Sequence, residues 1–564
     1  MLIINILNAF ICSSQDPSWP APPRPPLDIP LTVAGNFMEL RSDHFHSGVD
    51  LKTNGMEGLP VRAVAAGRVS RVKMSPWGYG IAVYIDHPGG FTTVYGHLQA
   101  LAPALATQVL EAQYKEKDYS VDLTPPTVEL QVAGGELIGW SGNTGGSSGP
   151  HLHYEVRRTA DQHAVDPEAF GLELTDSRGP IIRGLRLYAL DSSARHSPYP
   201  GEAKGFATEP GPDGYRLRSG AEVAAVGPVG LAVHAVDHYD GSSNVCGVRR
   251  IDLDVDGRRL FSVHLDEVDF GLQRYVNAHM DHALFRENDM HYHRCYRQPN
   301  DRSILYDGNG TFIPTPGQRH ACTLTVLDAN GNQAVLRFTL RGATTEEART
   351  WPGRASGTNV FHWDRENVLV QPGIRFTLPV NALYDDEPIT YSREEAPPKS
   401  LSPMHQVLSD LVPLHVQAEV TLEAMDLPVE LRSKTVVMKR DRKGRTSCLG
   451  GRWSGGWVTA RTKSFGAFFL RVDTVPPTLT AVDLRSDMRG REAFRFKVQD
   501  DLSGVENWTA TLDGRWIMLV YDPKAKTLTH RFDRYSEGSG TRTLVVEVAD
   551  ERGNRAQRTL TFQR

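Results

Sequence analysis

Three short stretches of the chain hold side chains that can bind a metal ion and move protons. Arg41-Ser42-Asp43-His44-Phe45-His46-Ser47-Gly48-Val49-Asp50 carries a His-x-x-x-Asp pair. Tyr95-Gly96-His97-Leu98 holds a single histidine, and Gly149-Pro150-His151-Leu152-His153-Tyr154-Glu155 holds a His-x-His. Zinc takes imidazole nitrogen and carboxylate oxygen readily, and its catalytic sites use three protein ligands and keep one position for water. In a strand, residues two apart point to one face, so His151 and His153 address one site together. One of them can bind metal while the other stays free for proton transfer, and His97 on a neighbouring strand can join that work. By the same alternation Glu155 shares their face, either to orient a ligand or as an ordinary strand-end carboxylate. His44 makes a second His-x-His with His46.

Short strands broken by glycine turns must position these groups. Segments 61–72, 81–87, 91–97 and 151–157 read as strands. Segment 103–117, rich in Ala, Leu, Gln and Glu, reads as a helix between two strands, and so as an insertion covering about 102–133. That insertion could line a groove, act as a lid or dock on the following β-domain. The glycine-rich stretch 139–149 lets the backbone run close to the cleft before the last strand begins. It does not suit phosphate binding, because the Gly-Lys-Ser/Thr ending and a following helix are both missing.

Taken in order, these pieces resemble the lysostaphin/LytM-type zinc metalloendopeptidases. The likeness covers about 30–170. Besides the histidine motifs it includes Gly48-Val49-Asp50, Pro60-Val61-x-Ala63, Ala66-Gly67-x-Val69 and Gly142-Asn143-Thr144-Gly145. The resemblance implies a small antiparallel β-fold with an open groove and Zn2+ held by His46, Asp50 and His153. It gives His97 and His151 the catalytic roles, and it leaves His44 in the groove or beside a ligand. Hydrolysis of peptide bonds in peptidoglycan stems or cross-links is the implied activity. The insertion after Tyr-Gly-His-Leu is longer than in compact members, which leaves substrate choice open.

At 564 residues the chain exceeds a single hydrophobic core. We expect a mostly β protein with a leader and proline-rich spacer over 1–30 and the antiparallel β metalloendopeptidase domain, with its helical insertion, over 31–177. An Ig-like β-sandwich over 178–345 follows, with extra residues at about 265–315, then a β-rich domain of unnamed fold over 346–472. A second Ig-like β-sandwich over 473–564 ends the chain. The two sandwiches are read from a repeat: a strand ending in Asp237 or Asp500, a hairpin at Asp256-Gly257 or Asp513-Gly514, and a strand ending in Asp-x-x-Gly-Asn at Asp328 or Asp550. Asp-Gly suits tight hairpin turns. The run Asp237-His238-Tyr239-Asp240-Gly241-Ser242 resembles a calcium loop without its bidentate glutamate, so a hairpin turn is expected there. His279, His282, His291, His293 and Cys295 follow no zinc spacing and read as a solvated or hydrogen-bonded loop.

A net charge of −5 over this length gives no basic stripe, which argues against nucleic acid as a partner. No run approaches the ~20 apolar residues of a membrane span. The apolar stretch 1–11, followed by Cys12-Ser13-Ser14-Gln15, looks like the end of a weak or truncated export signal. Bulky Phe10 and Ile11 before Cys12 argue against lipidation. Export to the periplasm or cell envelope is the expectation. Five cysteines are too few and scattered for a disulfide framework; one pair, Cys295 with Cys246 or with Cys322, could form in an oxidising compartment, and the sequence does not choose between them. The leading functional expectation is an active hydrolase that acts on peptidoglycan peptides and remodels the producer's own wall, its β-modules positioning it or meeting envelope proteins. The alternative is a non-catalytic LytM-like scaffold or regulator of other wall hydrolases. All three ligand positions and both accessory histidines are present, which favours the enzyme. A bacteriolysin aimed at competitors ranks lower, since the C-terminal half shows no aromatic, lysine-rich wall-binding module.

Overall fold

The computed structural model describes residues 19, 21–201, 203–218, 222–354, 359–424 and 427–564, so Cys12 and the leader lie outside the described residues. The protein is mostly β. Its first part is built from Val33–Gly35 (β1), Val49–Lys52 (β2), Pro60–Arg62 (β3), Gly67–Met74 (β4), Ile81–His87 (β5), Phe91–Leu98 (β6) and Ala100–Leu101 (β7). Then come helix Pro103–Glu116 (α1), Val121–Leu123 (β8), Gln131–Val132 (β9), Leu137–Trp140 (β10), His151–Arg158 (β11) and Ala164–Val165 (β12). The main antiparallel sheet runs β1-β2-β11-β6-β5-β4-β8, and β3-β10-β7 form a small second sheet. On β11, Leu152, Tyr154 and Val156 are buried in the core with Val49, Leu51, Val83 and Ile85. Strand alternation therefore turns His151, His153, Glu155 and Arg157 to the opposite face.

The run expected as one strand over 61–72 is two strands in different sheets, because β3 pairs with β10 and β4 with β5. Between them Ala63 exchanges backbone hydrogen bonds with Gly135 and Glu136 instead of continuing the ladder. The expected helix is present as α1, opened by a proline and closed by Lys117 in the left-handed conformation. Leu105, Val109 and Ala112 on α1 join the core. Its other side meets the far end of the chain: Tyr114 stacks on Tyr535 with ring centroids 3.9 Å apart and donates to Asp533 at 2.6 Å. Glu111 pairs with Arg534 at 2.8 Å. Of the three roles open to the insertion, it docks, and its partner is the last β-region rather than the next.

Residues 181–342 supply one twelve-stranded sheet, ten strands along a single hydrogen-bonded path and two beside it. This region shares a single continuous core with the first part, running from Leu27 to Leu340. Further ties join them: β12 pairs with Glu267–Val268, and the Asn36 side chain both donates to Gly247 O at 3.0 Å and accepts from Gly247 N at 2.7 Å. Two five-stranded sheets enclose the core around Phe376, Phe465 and Phe468, and two four-stranded sheets enclose that around Phe494, Phe496 and Phe562. Both Asp-Gly hairpins of the repeat have positive φ at each central residue, +50° and +76° at Asp256-Gly257 and +50° and +80° at Asp513-Gly514. That is the turn chemistry expected of them. Within 265–315 the histidine cluster is not solvated. His279, His282, His291 and His293 are all buried, and His279 Nε2 and His293 Nδ1 lie 2.8 Å apart. Cys246, Cys295, Cys322 and Cys448 are free, so none of the pairings allowed by the sequence is formed among the described residues.

Candidate metal centre and groove

His46, Asp50 and His153 come together from a loop and two paired strands. His153 on β11 lies opposite Asp50 on β2 in register. His46 is fixed by two backbone bonds, from its N to Glu39 O and from Met38 N to its own O. Gly48 lets this loop lie against β11, since a Cβ there would meet Tyr154 O at 2.4 Å. Three atoms converge: His46 Nε2 to Asp50 Oδ1 is 3.1 Å, His153 Nδ1 to Asp50 Oδ1 is 2.9 Å, and His46 Nε2 to His153 Nδ1 is 3.2 Å. A tetrahedral ion with bonds of ~2.0–2.1 Å needs ligand atoms about 3.3 Å apart. The donor set and its spacing fit Zn2+.

The remote ring atoms fix the tautomers that such a centre requires. His46 Nδ1 donates to Asn36 O at 2.7 Å, which leaves Nε2 free for the ion. His153 Nε2 donates to Glu155 Oε1 at 2.8 Å, which leaves Nδ1 free. The same Glu155 oxygen accepts from Ser47 Oγ and Tyr79 Oη, each at 2.6 Å, while Oε2 accepts from Arg157 Nε at 2.6 Å. Tyr79 also stacks on His153, with centroids 5.1 Å apart. Burial would raise the Glu155 pKa, but Arg157, His153 and Ser47 outweigh it and hold the group ionised. Asp50 is likewise held well below the usual carboxylate range, its burial overcome by His46, His151 and His153. Its second oxygen accepts from Arg41 at 3.1 Å.

His151 and His97 stand beside these three residues. His151 Nδ1 donates to Gly149 O at 2.8 Å, and its Nε2 lies 3.4 Å from Asp50 Oδ1. His97 occupies a register shift between β5 and β6 with φ of +58°, a conformation uncommon for a residue with a Cβ. Its Nδ1 donates to Thr144 O at 2.8 Å, and its ring centroid is 4.8 Å from that of His151. Burial, then the neighbouring His153 and His151, push His97 down to about 3, so it is neutral at pH 7. The glycine loop supplies both carbonyls. Its close approach depends on Gly145, at φ of +71°, where a Cβ would meet Gly78 O at 2.3 Å.

A groove of about 810 Å3 opens over this cluster. Arg41, Arg71 and Lys73 line it with Trp77, and Phe270 and Gln273 reach in from the region after β12. His44 lines it too, half-exposed and 2.8 Å from Asp43 Oδ1, so it is a groove residue and not part of the converging set. No residue of the insertion 102–133 lines it. Sequence reasoning singled out Glu155 without choosing its role, and it missed Asn36, Arg41, Ser47, Tyr79 and Arg157. Arg157 continues the alternation of β11 and could have been found that way. The others reach the site from loops, where no periodicity marks them.

Residues 44–114 match the model of peptidase family M23, and residues 358–473 that of the Zu5-like domain, the stretch whose fold the sequence left unnamed. Over 118 residues the chain is 38% identical to DD-carboxypeptidase/endopeptidase Mpg of Neisseria meningitidis, a match covering 21% of each. Lysostaphin of Staphylococcus simulans is 31% identical over 128 residues, covering 22% of this chain and 21% of that one. The murein hydrolase activator EnvC of Escherichia coli is 29% identical over 126 residues, covering 21% and 23%. The chain thus spans about a fifth of the length of the curated relatives it matches. It carries an M23 domain of the lysostaphin/LytM type.

Proposed function

We propose that the M23 domain is a zinc-dependent endopeptidase that hydrolyses peptide bonds in peptidoglycan stem or cross-link peptides, outside the cytoplasm, in wall remodelling. The observation that carries this reading is the convergence of His46 Nε2, Asp50 Oδ1 and His153 Nδ1 within 3.2 Å of one another, each imidazole oriented by a hydrogen bond from its far nitrogen. A bound Zn2+ would supply Lewis acidity towards a water and the scissile carbonyl. His151 and His97 are the groups proposed to move protons. Each donates its Nδ1–H to a main-chain carbonyl, which leaves Nε2 with a lone pair; His151 would accept a proton there and later return it as imidazolium, while His97, held neutral, would accept a hydrogen bond from the group that gives the proton up. Arg41, Arg71 and Lys73 along the groove suit a peptide bearing carboxylates, and they would orient it before reaction.

The similarity to a murein hydrolase activator supports a second reading, in which the fold regulates other wall hydrolases. The intact set of five residues favours hydrolysis. The test is mass spectrometry of muropeptides released from purified walls by wild type and by His151→Ala, with zinc content measured on both. One zinc per chain, chelator-sensitive release by wild type and none by the variant is the expected result. A zinc-loaded wild type that releases nothing from walls of several cross-link chemistries overturns the reading.

A further inference from the structure

Outside the groove lining, the fold brings three aspartates together at a junction. Asp176 lies in the segment leading from β12 into strand Ile181–Ala189, Asp237 directly follows strand Val229–Val236, and Asp328 directly follows strand Arg319–Leu327. One carboxylate oxygen from each lies within 4.8 Å of the others. Asp237 is fully buried. Both of its oxygens, together with Asp176 Oδ2 and Asp328 Oδ2, are buried without a hydrogen-bond partner. A nearby cation, Arg178, is directed elsewhere, donating to the carbonyls of His238, Tyr239 and Ser242. Buried carboxylate oxygens facing one another without donors call for a counter-charge at the point where they meet.

The internal repeat supplies a built-in comparison. Asp473, Asp500 and Asp550 occupy the matching places and also converge, following the same Asp-x-x-x-Pro, Asp-x-x-x-Gly and Asp-x-x-Gly-Asn patterns. There the carboxylates accept from main-chain N–H groups of Ser503, Leu502, Gly504, Arg552 and Asn554, and only Asp500 Oδ1 lacks a partner. In the first copy Asp176 Oδ1 accepts from Arg178 N at 3.1 Å and Asp328 Oδ1 from Asn332 N at 2.8 Å, but neither oxygen of Asp237, the counterpart of Asp500, has a donor.

We propose that Asp176, Asp237 and Asp328 form a binding site for a hard divalent cation, Ca2+, that ties the segment before strand Ile181–Ala189 to the ends of two strands. An all-oxygen donor set with several carboxylates is what Ca2+ takes, its remaining positions being filled by water. The loop after Asp237 also braces the metal-centre sheet: Ser242 Oγ donates to Val33 O at 2.7 Å and Asn244 Nδ2 to Ala34 O at 2.9 Å, both on β1. The ion would hold the base of that brace.

The test is calorimetric titration of the desalted, zinc-loaded full chain with CaCl2 and, separately, MgCl2, with melting temperatures taken at each end point. Wild type should take up one Ca2+ with a Kd below about 1 mM, in the range of calcium modules, and should melt at higher temperature with Ca2+ bound. Asp237→Asn should lose the binding and the shift, yet melt in calcium-free buffer no lower than wild type, because a buried charge without a donor has been removed. Asp328→Asn gives the second reading should Asp237→Asn fail to fold. No Ca2+ uptake by wild type at millimolar concentration overturns the proposal. So does wild-type affinity in either folded variant.

Discussion

Glu155→Gln separates a residue that tunes the metal centre from one that merely fills the core. Glu155 is fully buried and accepts from His153, Ser47, Tyr79 and Arg157. Glutamine keeps the shape but has one acceptor oxygen and one donor amide in place of two acceptors. If the oxygen faces His153, the amide meets the Arg157 guanidinium donor to donor. If it faces Arg157, the amide meets the His153 N–H and the tautomer that presents Nδ1 is no longer favoured. Partners of this kind are worth about 10- to 100-fold in metal affinity, or about 1.4–2.7 kcal/mol. Leaving Arg157 buried without its counter-charge costs stability as well, about 3–5 kcal/mol. Competition with a chromophoric chelator measures the first quantity, and thermal unfolding of the metal-free protein measures the second. Both should fall. A variant that melts early but binds zinc within twofold of wild type would refute the argument that Glu155 orients His153.

Four further outcomes follow from the geometry. His153→Ala should abolish zinc binding while His151→Ala keeps zinc and loses turnover at least a hundredfold, and equal metal loss in both, measured by elemental analysis, counts against the assigned roles. Asn36→Ala removes two hydrogen bonds to Gly247 and loosens the carbonyl that holds His46, so zinc affinity should weaken several-fold in the same chelator assay. Burial, then the neighbouring Asp166, raise Glu168 to about 8, above its unfolded value; the folded state thus binds the extra proton, and stability should fall as pH rises from about 4.5 to 8. Melting temperature against pH should show that decline, and Glu168→Gln should flatten it. Lys524→Ala removes contacts to Asn143 O and Ser147 O and should lower kcat by less than tenfold with zinc content unchanged, since exposed interactions of this kind are weak.

The convergence of the side chains at the centre was legible in part from spacing and in part from the family resemblance. A period of two on β11 put His151, His153 and Glu155 on one face, and the resemblance to the lysostaphin/LytM-type enzymes implied that His46 and Asp50 lie beside them. The hairpins of the repeat were legible for the same local reason, since Asp-Gly tolerates the positive φ that both copies adopt. What was not legible came from packing over long sequence separations. Nothing near Asn36 announces that its side chain binds Gly247, and nothing in the histidines of 279–293 separates a buried cluster from a solvated one. The split of 61–72 into two strands is decided by Gly135 and Glu136, which lie some seventy residues away in the chain.

The remaining regions act on the centre through its loops, and the direction of that action can be argued from where they touch. The glycine loop holds His97 by Thr144 O and His151 by Gly149 O, and Lys524 of the last region donates to Asn143 and Ser147 of that same loop. On the opposite side, Gly247 grips Asn36, whose carbonyl holds His46. Both accessory histidines and His46, one of the proposed ligands, therefore depend on a loop that a distant region contacts. A restraining region would place its own side chains in the groove, yet among the described residues none that lines it comes from beyond Gln273. Tyr521 meets only the rim, edge-on to Trp77 at 6.4 Å. In this arrangement the β-regions touch the loops that hold these side chains and leave the groove over them open. Phe270 and Gln273 are the two places where they also shape what can enter.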